Sequence, residues 1–279
     1  MKTFRLVVAV VVALSCCSAA AQVAGSSDGI VEQFHTVRLT RGSELSLVVS
    51  KSSGATPTIA VLLFPGYPGI LKINYGIAGI SYDLSGNFLI RARRFLNTDK
   101  IFTVMVDCPV DEWQACGDDY RTSTRHAADI TDVINAVNTN FGSRQVYLLG
   151  TSYGTLSTSF LARSLTDRIA GAIHTSTITN PPSGRNAHGV PLGNFDWSLT
   201  TTPQLFVHHH DDPCETSPYS GIVERKAEIP LITVEGSRGA RGDACKARTA
   251  HGFVGRERGV MKAIADWITD RKLDPVVNN

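Results

Sequence analysis

A serine flanked by glycines stands where a predicted strand meets a predicted helix. Ser152 is the centre of Gly150-Thr151-Ser152-Tyr153-Gly154, and the apolar residues 146–149 precede it. A strand, a turn and a helix in this order are typical of a nucleophile elbow, in which the serine has a strained backbone and only glycine fits two positions before or after it. The five-residue pattern also arises by chance, but its flanking elements favour Ser152 as a nucleophile at the carboxyl end of a strand.

A serine hydroxyl is a weak nucleophile at neutral pH, so a base must remove its proton and a carboxylate must orient that base. Acidic candidates follow a predicted strand in His208-His209-His210-Asp211-Asp212-Pro213, and the basic candidate His251 precedes the last predicted helix. Each segment alone is an ordinary turn. Together they follow the order serine, acid, histidine near the ends of strands, and this arrangement predicts a catalytic triad.

The three successive histidines also permit a metal-binding interpretation. On a strand, His208 and His210 share one face, which is the spacing of paired zinc ligands, and Asp211 or Asp212 would lie nearby. Because such short motifs depend on their structural context, we prefer the triad and expect no bound metal.

Strands that alternate with helices must bring these residues together. Predicted strands cover 58–64, 100–107, 145–149, 169–178, 204–209 and 230–235, and predicted helices cover 88–96, 121–141, 152–165, 217–227 and 256–270. This alternation predicts an α/β fold with a mainly parallel sheet, helices on both faces, and ligands beyond the carboxyl ends of the strands. Residues 31–41 and 44–51 predict an antiparallel hairpin at the N-terminal edge.

The 25 residues 179–203 contain four prolines and leave no room for a helical lid, which predicts an uncovered site.

In these segments the chain resembles the α/β-hydrolase superfamily, and the resemblance covers nearly all of residues 22–279. It is carried by the elbow pentapeptide, by Phe64-Pro65-Gly66-Tyr67, by Asp212-Pro213 and by His251-Gly252-Phe253. Residues 87–91 and 208–214 also resemble segments of a group of small bacterial members. The resemblance implies the α/β-hydrolase fold and hydrolysis of an ester-like bond, a carboxylic ester or a thioester, through an acyl-enzyme and without a cofactor.

The same resemblance implies a role for each residue of the predicted triad. Ser152 is similar to the nucleophile and His251 to the general base and acid. Asp212 is similar to the orienting carboxylate, because the superfamily places this residue four positions after a strand-end histidine, here His208; Asp211 is the alternative.

The backbone amides of Tyr67 and Tyr153 would form the oxyanion hole. Pro65 stands where the superfamily commonly has a histidine, so the shape of the loop before Tyr67 stays open.

The substrate expected from this resemblance is a small molecule or an acyl ester. A peptidase or an acyltransferase would use the same triad, and the fold also serves in binding proteins that have lost catalysis. The sequence does not distinguish an esterase from a peptidase or an acyltransferase. It also leaves the oligomeric state open.

The first 21 residues have the pattern of a secretory signal peptide. Lys2 and Arg5 precede the apolar residues 6–14, and Ala19-Ala20-Ala21 supplies small residues before Gln22. The apolar core is too short for a permanent membrane span, which needs about 20 apolar residues. Lipid attachment at Cys16 or Cys17 is the alternative. We therefore predict a periplasmic or secreted protein in which residues 22–279 form one domain.

The charge of the remaining chain is balanced. The full sequence has 27 Lys and Arg against 25 Asp and Glu, and removal of Lys2 and Arg5 leaves 25 of each sign. No run of basic residues occurs, and Arg91, Arg93 and Arg94 are predicted on the solvated face of a helix. These features exclude nucleic acid as an expected partner.

The four cysteines after residue 21 are Cys108, Cys116, Cys214 and Cys245. An even number in an exported protein predicts two disulfides, for which three pairings are possible. Given the triad that the resemblance implies, Cys214 lies two residues after the acid and Cys245 six residues before the base. We therefore favour a Cys214–Cys245 bridge between these two loops and a local Cys108–Cys116 bridge.

Overall fold

A computed structural model describes residues 22–27, 29–182, 190–225 and 229–278 of the chain. The predicted signal peptide, residues 1–21, and its alternative lipid-attachment sites Cys16 and Cys17 lie outside the described residues. In the described part of the chain, each helix lacks the length or the apolar character that a membrane span requires.

A mainly parallel sheet forms the centre of the molecule, and ten of the strands in the described residues belong to it. These strands are β1 (Gln22–Ser27), β2 (Ile30–Arg38), β3 (Glu44–Ser52), β4 (Ile59–Phe64), β7 (Ile101–Val106), β8 (Gln145–Thr151), β9 (Gly171–Thr175), β10 (Gln204–His209), β11 (Leu231–Val234) and β12 (Val276–Val277). A separate small hairpin contains β5 (Asn74–Gly76) and β6 (Gly79–Ser81).

The order across the sheet is β1-β2-β3-β7-β4-β8-β9-β10-β11-β12. Across the sheet, neighbouring strands are antiparallel in the part β1-β2-β3-β7. They are parallel in the part β7-β4-β8-β9-β10-β11-β12. The predicted parallel sheet is therefore confirmed, and β2 with β3 is the predicted hairpin at its N-terminal edge. Strand β1 extends that edge by one further antiparallel strand.

Helices cover both faces of the sheet, as predicted. The helices are α1 (Phe88–Ala92), α2 (Asp118–Arg121), α3 (Thr124–Phe141), α4 (Gly154–Ser164), α5 (Ser220–Val223) and α6 (Glu257–Asp270). Successive side chains of a strand point to opposite faces. Accordingly, Val61 and Leu63 of β4 pack in one cluster with α1 and α6, whereas Ala60 and Leu62 pack in another with α3 and α4.

Three predicted helices differ clearly from the observed ones at their ends. In the described residues, the helix predicted over 217–227 has only the four residues Ser220–Val223. The helix predicted from residue 121 begins at Thr124, because the Ser123 hydroxyl caps it by accepting the amide of His126 at 3.1 Å. The helix predicted over 88–96 ends at Ala92 and continues as a 3-10 turn, Arg93–Phe95. Strands β1, β5, β6 and β12 were not predicted; β5, β6 and β12 have only two or three residues each, too few for a periodic pattern.

The prediction that Arg91 and Arg93 lie on a solvated helix face is wrong. Each of these side chains is only 11% exposed; Arg91 contacts Glu257 at 2.9 Å and Arg93 contacts Glu32 at 2.6 Å. Arg94 is exposed, as expected. The partner carboxylates come from distant parts of the chain, so the local sequence gives no sign that these two charges are paired.

The elbow occupies the centre of the sheet, because β8 lies between β4 and β9. Strand β8 ends at Thr151, Ser152 has a positive φ of 51°, and α4 begins at Gly154. A Cβ atom at Gly150 would lie 2.6 Å from the Gly154 carbonyl oxygen, and one at Gly154 would overlap the Phe64 carbonyl oxygen. Both glycines are therefore required for steric reasons, which is the crowding expected of a nucleophile elbow.

We expect Gly154→Ala to destabilise the protein by about 3 kcal/mol or more, because backbone atoms of β4 cannot move away without disturbing the sheet. Gly76→Ala is the matched control, since a Cβ atom there meets nothing within 4 Å. Urea unfolding followed by circular dichroism would measure both. Equal free energies of unfolding for the two variants would contradict the steric argument.

Candidate active site

Ser152 lies at the carboxyl end of β8 and is held there by its backbone. Its amide donates to the carbonyl of Thr175, the last residue of β9, at 2.9 Å. Its own carbonyl accepts the amide of Thr155 at 2.8 Å in the first turn of α4. The side chain is half-buried rather than enclosed. The elbow therefore presents the hydroxyl at the sheet edge where ligands of parallel sheets bind.

His251 and Asp212 form a hydrogen-bonded pair at the same edge. The imidazole Nδ1 lies 2.9 Å from Oδ2 and 3.2 Å from Oδ1 of Asp212. The Asp212 side chain is fully buried and that of His251 is 5% exposed. An ionised carboxylate only accepts hydrogen bonds, so Nδ1 carries the proton and Nε2 of the neutral ring carries the lone pair.

Nε2 of His251 is buried and has no hydrogen-bond partner in the described part of the chain, Ser152 included. A basic nitrogen in this state is ready to accept a proton from a group brought within reach. Hydrogen bonds between a catalytic serine and histidine are often long without substrate and shorten in the reacting complex.

The Asp212 carboxylate is kept ionised by its neighbours. Burial alone would raise the pKa of the carboxyl, but His251 and His208 beside it hold that pKa well below its usual range. The backbone amide of Cys214 also donates to Oδ1 at 2.9 Å. The negative charge is therefore available to stabilise a protonated imidazole at His251.

The alternative acid, Asp211, lies elsewhere. Its side chain is 71% exposed and pairs with the exposed His210 at 2.7 Å, so the structure brings Asp212 and not Asp211 to His251. His208 is buried and its Nε2 donates to the Ser217 carbonyl at 2.8 Å. Among the residues that the structure describes, no three His, Cys, Asp or Glu side chains are grouped to hold a metal ion.

The loop after β4 runs alongside the elbow. A Cβ atom at Gly66 would lie 3.3 Å from Cβ of Ser152, so the backbone before Tyr67 closely approaches the serine. The rings of Tyr67 and Tyr153 meet edge to face with centroids 5.7 Å apart. Tyr153 occupies the N-cap of α4, where the first amides of a helix lack intrahelical acceptors. The two residues predicted to donate to an oxyanion are therefore neighbours beside Ser152.

The described residues contain two disulfides, Cys108–Cys116 and Cys214–Cys245, which is the pairing that we favoured from the sequence. The second bridge joins the loop of Asp212 to the loop that precedes His251, with the two Cα atoms 4.5 Å apart. It therefore restricts the separation of the acid and the histidine.

Sequence reasoning missed Ser176, which directly follows Thr175 at the end of β9. Ser176 is fully buried with a positive φ of 47°, and its hydroxyl donates to the His251 carbonyl at 2.7 Å. The carbonyl of Thr175 binds the Ser152 amide, so Thr175 and Ser176 together connect the elbow to the histidine loop, the loop that carries His251. A single serine at a strand end carries no pattern that would have revealed this link.

Arg91 gives a second support to the histidine loop. Its Nη2 donates to the carbonyl of Gly252 at 2.6 Å while its guanidinium pairs with Glu257 of α6. The resemblance of residues 87–91 to small bacterial hydrolases was the only sequence signal for this contact.

One surface groove lies away from these residues. It is bordered by Gln204, Pro230, Trp267 and Arg271, which stand near the amino ends of β10 and β11. Because Ser152, Asp212 and His251 follow the carboxyl ends of their strands, this groove is at the opposite edge of the sheet and is not the candidate site.

Comparison with protein families identifies one match. A sequence model described as "alpha/beta hydrolase fold" matches residues 59–231, which are 173 of the 279 residues. Among curated proteins, no sequence matches that of this chain at a significant level.

Several solved structures are similar to this chain. Est1E from Butyrivibrio proteoclasticus has 16% identity and a TM-score of 0.58 and aligns over 85% of this chain and 98% of its own. A serine hydrolase without a lid from Xanthomonas campestris has 16% identity and a TM-score of 0.55, covering 87% and 95%. A cold-adapted esterase from an Arctic intertidal metagenomic library has 14% identity and a TM-score of 0.55, covering 88% and 98%. At these identities the likeness concerns the fold.

The pKa of Asp212 leads to a testable pH dependence. A carboxyl of the unfolded chain titrates near pH 4, and that of folded Asp212 titrates lower, so below about pH 4 the unfolded chain binds a proton that the folded chain does not. We therefore expect this part of the stability to be present above pH 4 and to fall with decreasing pH, by up to about 1.4 kcal/mol per pH unit.

Carboxyl carbon NMR of the folded protein checks this directly, with Asp212→Asn used to assign the resonance. We expect Asp212 to remain ionised at pH 3. Titration of that resonance near pH 4 in the folded protein would show the argument to be wrong.

Proposed function

The chain belongs to the α/β-hydrolase fold family, and we propose that within this family of hydrolytic enzymes it is a serine hydrolase acting on an ester-like bond. The observation that carries the proposal is the state of His251, whose Nδ1 is bonded to a buried carboxylate while its Nε2 is unbonded in the described chain. This pair follows strand ends at the same sheet edge as Ser152, in the chain order serine, acid, histidine.

In the proposed acylation step, Ser152 Oγ attacks the carbonyl carbon of the ester as Nε2 of His251 takes the hydroxyl proton. The resulting imidazolium is stabilised by the ionised Asp212. Collapse of the tetrahedral intermediate breaks the bond to the leaving alcohol or thiol, which receives the proton from Nε2. Ser152 is left as an acyl ester.

Deacylation repeats these steps with water. His251 removes a proton from water, the hydroxide attacks the acyl carbonyl, and Ser152 leaves with the proton returned by His251. The carboxylic acid is released and the enzyme is restored. The ionised state of Asp212 supports this scheme, because the same carboxylate stabilises the imidazolium in both halves of the reaction.

The negative oxygen formed in each tetrahedral intermediate needs donors. We assign this role to the backbone amides of Tyr67 and Tyr153, on the support of the close approach of Gly66 to Ser152 and of the N-terminal position of Tyr153 on α4. Loss of one donor of this kind typically costs about 3 kcal/mol of transition-state stabilisation.

An ester or thioester of a small molecule is the proposed substrate. A similar structure named as a cold-adapted esterase supports this class, and another is described as a serine hydrolase without a lid. Two disulfides in the structure are compatible with the proposed export of residues 22–279 to the periplasm or beyond, where disulfides persist.

A fluorophosphonate probe tests the proposal most directly. We expect the wild-type protein to be labelled and to hydrolyse short-chain p-nitrophenyl esters, and we expect Ser152→Ala to do neither. Failure of the wild type to be labelled, or equal labelling of Ser152→Ala, would favour a binding protein without catalysis. Turnover of peptide substrates without turnover of esters would instead indicate a peptidase.

The two neighbouring aspartates offer a matched test of the acid. We expect Asp212→Asn to lower kcat by about 10³- to 10⁴-fold, because the neutral side chain no longer fixes the reactive tautomer of His251. Asp211→Asn changes the same chemical group at an exposed position and should leave kcat within about twofold, as is usual for such surface changes. Steady-state kinetics with one ester compares both; equal losses, or a loss only in Asp211→Asn, would reassign the acid.

A further inference from the structure

A buried arginine lies behind the two proposed oxyanion donors. Arg121, at the end of α2, is only 3% exposed. Its guanidinium donates from Nε to the Cys116 carbonyl at 2.8 Å and from Nη1 to the Ser157 hydroxyl at 2.9 Å. The remaining nitrogen, Nη2, lies 3.4 Å from the Pro68 carbonyl. The site mechanism described above does not use this side chain.

The positive charge of Arg121 is not cancelled by a directly bonded carboxylate in the described residues. Its acceptors are three neutral oxygens and, at Nη2, the two sulfur atoms of the Cys108–Cys116 disulfide, which are also neutral. Burial lowers the pKa of the guanidinium, but an arginine side chain keeps its proton in proteins. Burying a charge without a bonded counterion is costly, and such a cost is typical of functional sites.

Arg121 contacts the loop that carries the first proposed donor. Its bond to the Pro68 carbonyl is one residue beyond Tyr67. Gly69 follows with a φ of 73°, and a Cβ atom at this position would overlap Nη2 of Arg121 and lie 3.4 Å from the Pro65 carbonyl oxygen. The loop over residues 65–69 is therefore packed directly against the guanidinium.

Arg121 also contacts the residue that carries the second proposed donor. Its Cζ lies 4.7 Å from the centroid of the Tyr153 ring, which is within the range of a cation–π interaction. The Tyr153 hydroxyl donates to Asp118 at 2.7 Å. Asp118 and Arg121 are the first and last residues of α2, so this one helical turn holds both the face and the hydroxyl of the ring.

We propose that Arg121 is a positioning residue of the oxyanion hole, which fixes the backbone amides of Tyr67 and Tyr153 relative to each other. One rigid, planar cation is bonded to the loop on one side and packed on the Tyr153 ring on the other, so neither donor can move without disturbing Arg121. This inference rests on the proposed serine hydrolase function.

The test uses kinetics of Arg121→Gln and Arg121→Lys with a short-chain p-nitrophenyl ester. Displacement of oxyanion donors costs about 10²- to 10³-fold in kcat, and we expect a loss of about 10²-fold in Arg121→Gln with KM within about threefold. Arg121→Lys keeps the charge but loses the planar donor set, so we expect a loss of about tenfold.

A second measurement separates lost positioning from general structural damage. It is the inhibition constant of a trifluoromethyl ketone, which forms a tetrahedral adduct with the serine and so needs the oxyanion donors. Across the series, its inhibition constant should rise in parallel with the loss of kcat/KM, while inhibition by the product acid stays unchanged. Should Arg121→Gln not fold, the Arg121→Lys comparison carries the test alone.

Arg271→Gln is the matched control. Arg271 also lies over a tyrosine ring, that of Tyr147, at 5.5 Å and donates to a backbone carbonyl, but it does so at the opposite edge of the sheet. We expect this variant to keep wild-type kinetics.

Wild-type kinetics in both Arg121 variants would overturn the inference, as would a fall in kcat/KM without a parallel rise in the inhibition constant. Absence of fluorophosphonate labelling in the wild type would overturn the serine hydrolase proposal itself. The two failures are therefore distinguishable.

Discussion

The close approach of the last carbonyl of β4 to the start of α4 is the constraint on which the candidate site depends. The Phe64 oxygen occupies the space where a Cβ atom of residue 154 would stand, so β4, β8 and α4 have a single possible spacing. The loop that leaves Phe64 then passes directly beside Ser152. This steric contact between backbones sets the path of the chain beside Ser152, costs no side-chain entropy and does not depend on charge.

The histidine is held in a different way. His251 lies on a loop far along the chain, and polar contacts from separate elements determine its place. Asp212 after β10 holds the ring, Ser176 after β9 holds the backbone carbonyl, and Arg91 of α1 holds the next carbonyl. Each of these residues is at or near the same sheet edge, so a rigid scaffold supports a loop that has little regular structure of its own.

The sequence was sufficient for the features that depend on local pattern. The elbow glycines, the alternation of buried strands with amphipathic helices, and the order of serine, acid and histidine are all visible along the chain. Contacts between distant residues were not predictable in this way. Arg91, Arg93, Arg121 and Ser176 are polar residues without any periodicity, and their burial depends on partners that the fold brings to them. Very short strands such as β12 form because a neighbouring strand supplies the hydrogen bonds.

The Cys214–Cys245 bond also shortens the effective length of chain between the acid and the base when the disulfide-bonded protein is unfolded. Asp212 and His251 are 39 residues apart along the backbone. The path through the disulfide is much shorter. It runs two residues from Asp212 to Cys214, crosses the bridge to Cys245, and runs six residues from there to His251. The effective concentration of one end of a flexible segment around the other falls roughly as the −3/2 power of its length, so this shortening raises the concentration of the acid around the base about ninefold. Even in the unfolded chain, the two residues that must meet therefore remain near each other.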